Sequence, residues 1–409
     1  MKKLLVAFVL ALFSMAVAQD SAPAQKVIKD PAEHNAYVGA VGQQDPQARI
    51  SGIEGFLAQY PGTVMKEDAL EVLMGAYQQA GNAPKSMDAA ARLLQEAPSN
   101  VRGLLVMAFT RRSAAEANQN AEQNLKEARE YSERGLKALA TLKPQEGTTP
   151  EQFATLKKQF GIYFNGTVGW AALQVKDFAA AQEYLLASVK ENPTDLNDTY
   201  RLSLAYLTAE PPQDVTGLWF VARAANLAPA GPSQKQIGDF GRKKYIRYHG
   251  GEDGWKELLA QTRASGLPPE GFTIKPAPTP TERAAQMVEN TPVKKMNFAE
   301  FEFILGVGGD PAQKVWGQIK GVPLQFQGRV ISATRNKLLI AATADAIDAS
   351  RADVEVTMAA ALTVRQVPRA GSDILLEATP AEFTPEPFVM KMGEGVLLTR
   401  AAPARRRGR

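Results

Sequence analysis

The chain has 409 residues, 45% hydrophobic and 22% charged, which allows two or three packed domains and excludes a wholly disordered chain. It contains no cysteine, which excludes disulfides, thiol nucleophiles and thiolate metal sites. Its formal charge of +4 becomes +2 without Lys2 and Lys3, and −2 without Arg405, Arg406, Arg407 and Arg409 as well, so the basic character belongs to the ends and argues against a nucleic-acid-binding body.

The N-terminus, MKKLLVAFVLALFSMAVAQ, sets two lysines before an apolar run from Leu4 to Phe13, with small residues at Ala16 and Ala18. That is the layout of a secretory signal peptide over residues 1–18, cut after Ala18; the run is shorter than the ~20 residues an uncleaved membrane anchor needs. The expected location is the periplasm or the outside of the cell. Residues 19–30 are polar and read as a flexible leader. Asp30-Pro31 then supplies an N-cap and a proline at the first helical position.

From Ala32 to Pro229 apolar residues recur three and four apart, the helical period, without strand-like alternation. Pro61, Pro98, Pro144, Pro193 and Pro229 end successive runs at spacings of 37, 46, 49 and 36 residues. Helix-stopping prolines at such intervals are what a stacked array of helix pairs produces. The clearest unit, Phe164 to Pro193, is two amphipathic helices about Lys176-Asp177. Counted back from Pro193, its Gly169, Ala181 and Ser188 take small-residue positions and its Phe178 an aromatic position of the tetratricopeptide repeat, which the stretch resembles. Asp68–Pro98 (Leu73, Tyr77, Gly81-Asn82) and Leu196–Pro229 (Leu202, Tyr206, Ala224) follow the same register, and Ala32–Pro61 follows it weakly. Ala114–Leu142 reads as one long, solvated helix. Phe153, Leu156, Phe160, Tyr163/Phe164 and Val168 read as a core stripe. Gln234–Ser265 reads as a terminal pair, closing a helical-repeat domain over residues 31–266.

The resemblance implies a function class. In such repeats the first helix of each pair lines a concave groove that holds a peptide or protein. Carried over from Gly169, the groove candidates are Tyr163, Gly166, Trp170 and Gln174; from the next unit Asn197, Tyr200, Arg201 and Leu204; and from the preceding one Arg102, Leu105, Phe109 and Arg112. Aromatic and arginine side chains dominate binding hot spots. The alternative is that Trp170 and Tyr200 pack the superhelix itself. A clamp for a partner's C-terminal carboxylate would need a Lys/Asn/Arg set of which Asn197 and Arg201 alone are in place.

Residues 267–281, LPPEGFTIKPAPTPT, read as an extended proline-rich linker. Helical period returns over Thr281–Leu305, and Asp310-Pro311 starts a short helix. Strand-like alternation follows over Val322–Val330, with Gly328 expected at a bulge, then over 337–341, 353–358, 373–383 and Gly395–Leu398. The run VWGQIKGVPLQFQGRVISA and the later AGSDILLEATPAEFTPEPFVMKMGEG resemble the OB-fold domains described as anticodon-binding-like, found on exported bacterial proteins. That resemblance covers about residues 312–399 and implies a small β-barrel; it transfers no tRNA function. Residues 282–399 are thus expected to be a helical lead-in plus barrel, and 400–409 a disordered basic tail. The expected fold is multidomain α + β, a superhelix of helical repeats followed by an OB-like barrel.

Catalytic and metal signals are sparse. His34 and His249 are far apart in sequence, so a transition-metal site is not expected, and His249 is expected to cap carbonyls at a helix end. Asp345, Asp348 and Asp353 lack the glycine and terminal glutamate of a calcium loop and read as capping or solvated residues. Gly306–Gly309 follows a helix and reads as a turn, not a phosphate loop. No catalytic residue and no cofactor is expected. The chain reads as an exported, non-enzymatic adaptor for a protein or peptide. The alternative makes the barrel the ligand module, for a glycan or anionic polymer, through Arg329, Arg335, Lys337, Arg351, Arg365 and Arg369, with the repeats docking or oligomerising it. A hydrolase would need an acid/base pair that the sequence does not display.

Overall fold

The computed structural model describes residues 26–145 and 147–400. The expected signal peptide, the leader up to residue 25 and the tail from residue 401 lie outside them. The chain divides into two units, one ending at Lys275 and the other beginning at Pro276.

The first unit is a TPR-like superhelix of antiparallel helix pairs: α1 (Pro31–Val41) with α2 (Pro46–Gln59), α3 (Lys66–Gln79) with α4 (Ala83–Glu96), α5 (Val101–Glu116) with α6 (Ala121–Thr141), α7 (Pro150–Gln174) with α8 (Phe178–Glu191), and α9 (Leu196–Leu207) with α10 (Asp214–Leu227). Each punctuating proline falls just beyond a second helix, α2, α4, α6, α8 or α10. The two long spacings come from α6 and α7, of 21 and 25 residues. Two of the turns between partner helices share one chemistry. Gly81 at φ 71° precedes the N-cap Asn82, and Lys176 at φ 60° precedes the N-cap Asp177. Gly169 has the role its register implies, since a Cβ there would lie 2.6 Å from Leu185 Cγ on the partner helix.

Ala114–Leu142 is not one helix. It breaks between α5 and α6, where Asn118 and Asn120 adopt φ of 58° and 40°, left-handed values that asparagine accepts better than most residues. The last helices, α11 (Pro232–His249) and α12 (Trp255–Ala264), both pack on α10, with Tyr245 and Trp255 rings 5.6 Å apart. The proline-rich segment begins as part of this unit. Phe272 lies edge-on to buried Trp219 at 4.7 Å, Ile274 is buried, and His249 Nδ1–H donates to the Lys275 carbonyl at 2.7 Å. His249 therefore caps this strap and not its own helix. At the other end the leader's Lys26 reaches Glu67 and Asp68 of α3 at 3.1 and 2.8 Å.

The second unit has one core shared by α13 (Pro280–Asn290), α14 (Phe298–Val307), α15 (Gly309–Ile319) and a closed barrel of five strands. These are β1 (Leu324–Ala333), β2 (Lys337–Ala341), β3 (Val354–Met358), β4 (Asp373–Pro385) and β5 (Phe388–Arg400), with α16 (Ala344–Asp348) between β2 and β3. The order β1-β2-β3-β5-β4 closes on itself, β3 and β5 running parallel and the other pairs antiparallel. Phe298 of α14 meets Phe326 of β1 at 4.8 Å.

Three local expectations change. The bulge in β1 falls between Val330 and Ser332; Gly328 instead makes room for β2, because a Cβ there would lie 2.3 Å from Ile340 Cγ2. The expected strand Gly395–Leu398 is part of the longer β5, in which Glu394 at φ 52° takes up a register shift. Asp353 is buried, not solvated: its carboxylate accepts from the Ala342 and Thr343 amides and the Thr343 hydroxyl at 2.6–2.9 Å and holds the β2–α16 turn.

Candidate functional site

First helices of three consecutive pairs meet around Trp170. The Arg201 guanidinium from α9 lies 4.5 Å from the Trp170 ring centre, and that of Arg112 from α5 lies 5.7 Å from the same ring and 5.2 Å from Tyr163. Phe109 adds its ring 6.1 Å from Tyr163. Four expected residues, Arg112, Tyr163, Trp170 and Arg201, thus form one cluster, with Phe109 at its edge. Guanidinium groups on aromatic faces gain more as they are withdrawn from water, and both arginine side chains are largely covered here.

Carboxylates hold the two arginines. Arg112 donates from Nε to Glu116 at 3.1 Å and from an NH group to the Thr167 hydroxyl at 3.0 Å, and lies 3.9 Å from Asp198. Arg201 pairs with Asp198 at 3.4 Å and Glu116 at 3.6 Å. Asp198 is 4% exposed and accepts from the Ser188 hydroxyl at 2.7 Å. Gly166, a groove candidate by register, belongs to the packing: a Cβ there would lie 2.1 Å from Asp198 Oδ2.

Electrostatics separate the two cations. Burial opposes the charge on Arg112, but Tyr163, Asp198 and Glu116 outweigh it and hold its pKa above the ordinary value. On Arg201, burial and the neighbouring Arg112 win over the carboxylates and lower it. Burial also raises the Tyr163 phenol, whose oxygen has no hydrogen-bond partner among the described residues.

The other candidates stand apart. Arg102 pairs with Glu71 of α3, which also accepts from Asn100 at 2.9 Å. Tyr200 meets Phe240 of α11, ring centres 6.4 Å apart, and not Trp170. Leu105 is buried, Leu204 half-buried, and Gln174 and Asn197 exposed. The sequence reading missed Glu116, Asp198, Thr167 and Ser188. Glu116 is four residues after Arg112 and Asp198 three before Arg201, helix spacings that could have flagged both.

The barrel offers fewer free groups. Arg329 pairs with Asp373 at 3.0 Å, Lys337 with Glu355 at 2.7 Å and Arg351 with Glu302 at 3.5 Å, while Arg335 Nε donates to the Leu362 carbonyl. Phe326 and Phe388 are buried. Among the described residues no group of three or more His, Asp or Glu side chains could hold a metal ion, and no helix is long and apolar enough to cross a membrane.

No protein-family model and no curated protein matches the chain. The solved structures that resemble it include these two. One is TTC0263, a thermophilic TPR protein of Thermus thermophilus, 13% identical over 52% of this chain and 99% of its own, with a TM-score of 0.27. The other is pilF of Pseudomonas aeruginosa, 14% identical over 70% of this chain and 99% of its own, with a TM-score of 0.33. Neither likeness bears on function; the repeat assignment rests on the helix pairing itself.

Proposed function

We propose that this chain is an exported, non-enzymatic adaptor that binds a protein or peptide along the wall made by its first helices. The supporting observation is the meeting of Arg112, Tyr163, Trp170 and Arg201 from three separate first helices in one half-buried cluster. A groove built of pre-organised helices loses little entropy when it binds, and aromatic anchors supply the affinity. The structure-bearing groups of that wall are Arg112, Asp198 and Gly166. The groups free to meet a partner are exposed Gln174 and Asn197, with the outer edges of Trp170 and Phe109.

The test is cross-linking and affinity purification of the full chain from the envelope of its own cells, wild type beside Gln174→Arg/Asn197→Glu. Both substitutions are exposed and leave the ion-pair cluster intact. The expected result is loss of a specific partner at an unchanged melting temperature; the same partners at the same yield would end the groove reading. N-terminal sequencing of the mature protein should begin at Gln19, and a start at Met1 would remove export from the proposal.

A further inference from the structure

Helix α11 carries charge that the rest of the wall neutralises. Lys235, Arg242, Lys243, Lys244 and Arg247 face a single acid, Asp239, on this helix, whereas the chain without its basic ends sums to −2. Elsewhere on the first helices most cations are paired: Lys66 with Glu96, Arg102 with Glu71, Arg111 with Glu127, Lys158 with Glu191, and Arg112 and Arg201 with Glu116 and Asp198, while Lys157 lies over the Phe153 ring. On α11, Arg242 has such a partner, Glu252 at 2.6 Å. Lys235, Lys243 and Arg247 are exposed and make no ion pair among the described residues.

A shallow depression of about 500 Å³ runs along the same helix, lined by Pro232, Lys235, Gln236, Asp239, Phe240 and Lys243. Their three- and four-residue spacing sets them on one face. Phe240 is its aromatic element, with the Lys244 ammonium 5.6 Å from the ring centre and the Tyr200 ring 6.4 Å away. Through Tyr200 this face is continuous with the wall of α9.

We infer that this face of α11 binds an acidic segment of a peptide, with carboxylates against Lys235 and Lys243 and an apolar side chain over Phe240. The inference rests on the groove reading for the class of partner and on charge complementarity for its chemistry. A uniformly anionic polymer suits the face less well. Asp239 lies on the same stripe between the two lysines and repels an unbroken row of negative charge, whereas a peptide offers it backbone N–H donors. Exposed cations of this kind speed association and set specificity, and their effect falls with salt.

The test is fluorescence anisotropy on the full chain with a labelled synthetic peptide of glutamate pairs alternating with phenylalanine. Its glutamine counterpart, heparin and phosphatidylglycerol vesicles serve as comparison probes. The glutamate peptide should bind, weaken at least about tenfold in Lys235→Glu/Lys243→Glu and several-fold in Phe240→Ala, and lose affinity as salt rises, while the glutamine peptide binds weakly. Melting temperatures show that the variants fold. Equal binding by wild type and the double lysine variant overturns the inference. Heparin or vesicles binding through these lysines while the peptide does not also overturns it. Lysine-dependent peptide binding beside undiminished partner capture by Gln174→Arg/Asn197→Glu keeps the α11 assignment and ends the wall reading. Lysine-independent binding beside lost capture does the reverse.

Discussion

Asp195 and Asp198 show how the wall of first helices holds two carboxylates close together. Asp195 caps α9, its carboxylate accepting from the Asp198 amide at 2.8 Å, while burial and the charge of Asp198 raise its pKa above the ordinary 3.8. A carboxyl whose folded pKa lies above its unfolded value binds more protons in the folded state, so its contribution to stability falls as pH rises from about 3.8 through the folded pKa. Asn caps nearly as well as Asp and carries no charge. Asp195→Asn should therefore match wild type at low pH and gain on it as pH rises to neutrality, seen as a pH-dependent difference in urea midpoint. A difference that shrinks with rising pH would show that the arginines dominate that site. At this scale the sequence displays the i, i+4 pair of Arg112 and Glu116, because helix geometry alone brings them together. It does not display Arg112 on Thr167 or Ser188 on Asp198, which join different helices.

At the level of elements, the repeat is legible because each of the first five pairs is followed by a proline, and the α3–α4 and α7–α8 turns each set a left-handed residue before a cap. The break between α5 and α6 obeys the same physics, but its signal is two asparagines inside an Ala- and Glu-rich run with strong helix propensity. Asn118 is exposed, so substitution there reports on the backbone alone. Asn118→Gly should be neutral or slightly stabilising, and Asn118→Ala should cost about 1 kcal/mol by chemical denaturation, the cost of a Cβ in the left-handed region. Equal stability of both variants would mean the turn relaxes. In the barrel, alternation locates the strands, while Gly328 and Glu394 show the limit of local reading. A glycine in a strand announces a bulge or a close neighbour, and the choice depends on which strand crosses it.

The whole molecule divides into two units with a chain boundary between Lys275 and Pro276. Fragments 26–275 and 276–400 should each unfold cooperatively, the first with a helical and the second with a strand-rich circular dichroism spectrum, and cutting at 266 should destabilise the first by stripping Phe272 from Trp219 and Ile274 from its buried place. If removing 267–275 leaves the melting temperature unchanged, that strap adds nothing to the core. Composition, periodicity and proline spacing by themselves determined that the chain is helix pairs followed by a strand-rich barrel, because periods of 3.6 and 2 and the chain-stopping role of proline are local properties. The resemblance to the tetratricopeptide repeat, carried over from Gly169, placed Arg112, Tyr163, Trp170 and Arg201 in one register. The tertiary structure alone decided that these four touch, that Asp198 and Glu116 neutralise the two arginines, and that unpaired positive charge remains on α11. The physical reason is that charge balance and burial are sums over neighbours distant in sequence, which no local pattern of residues contains.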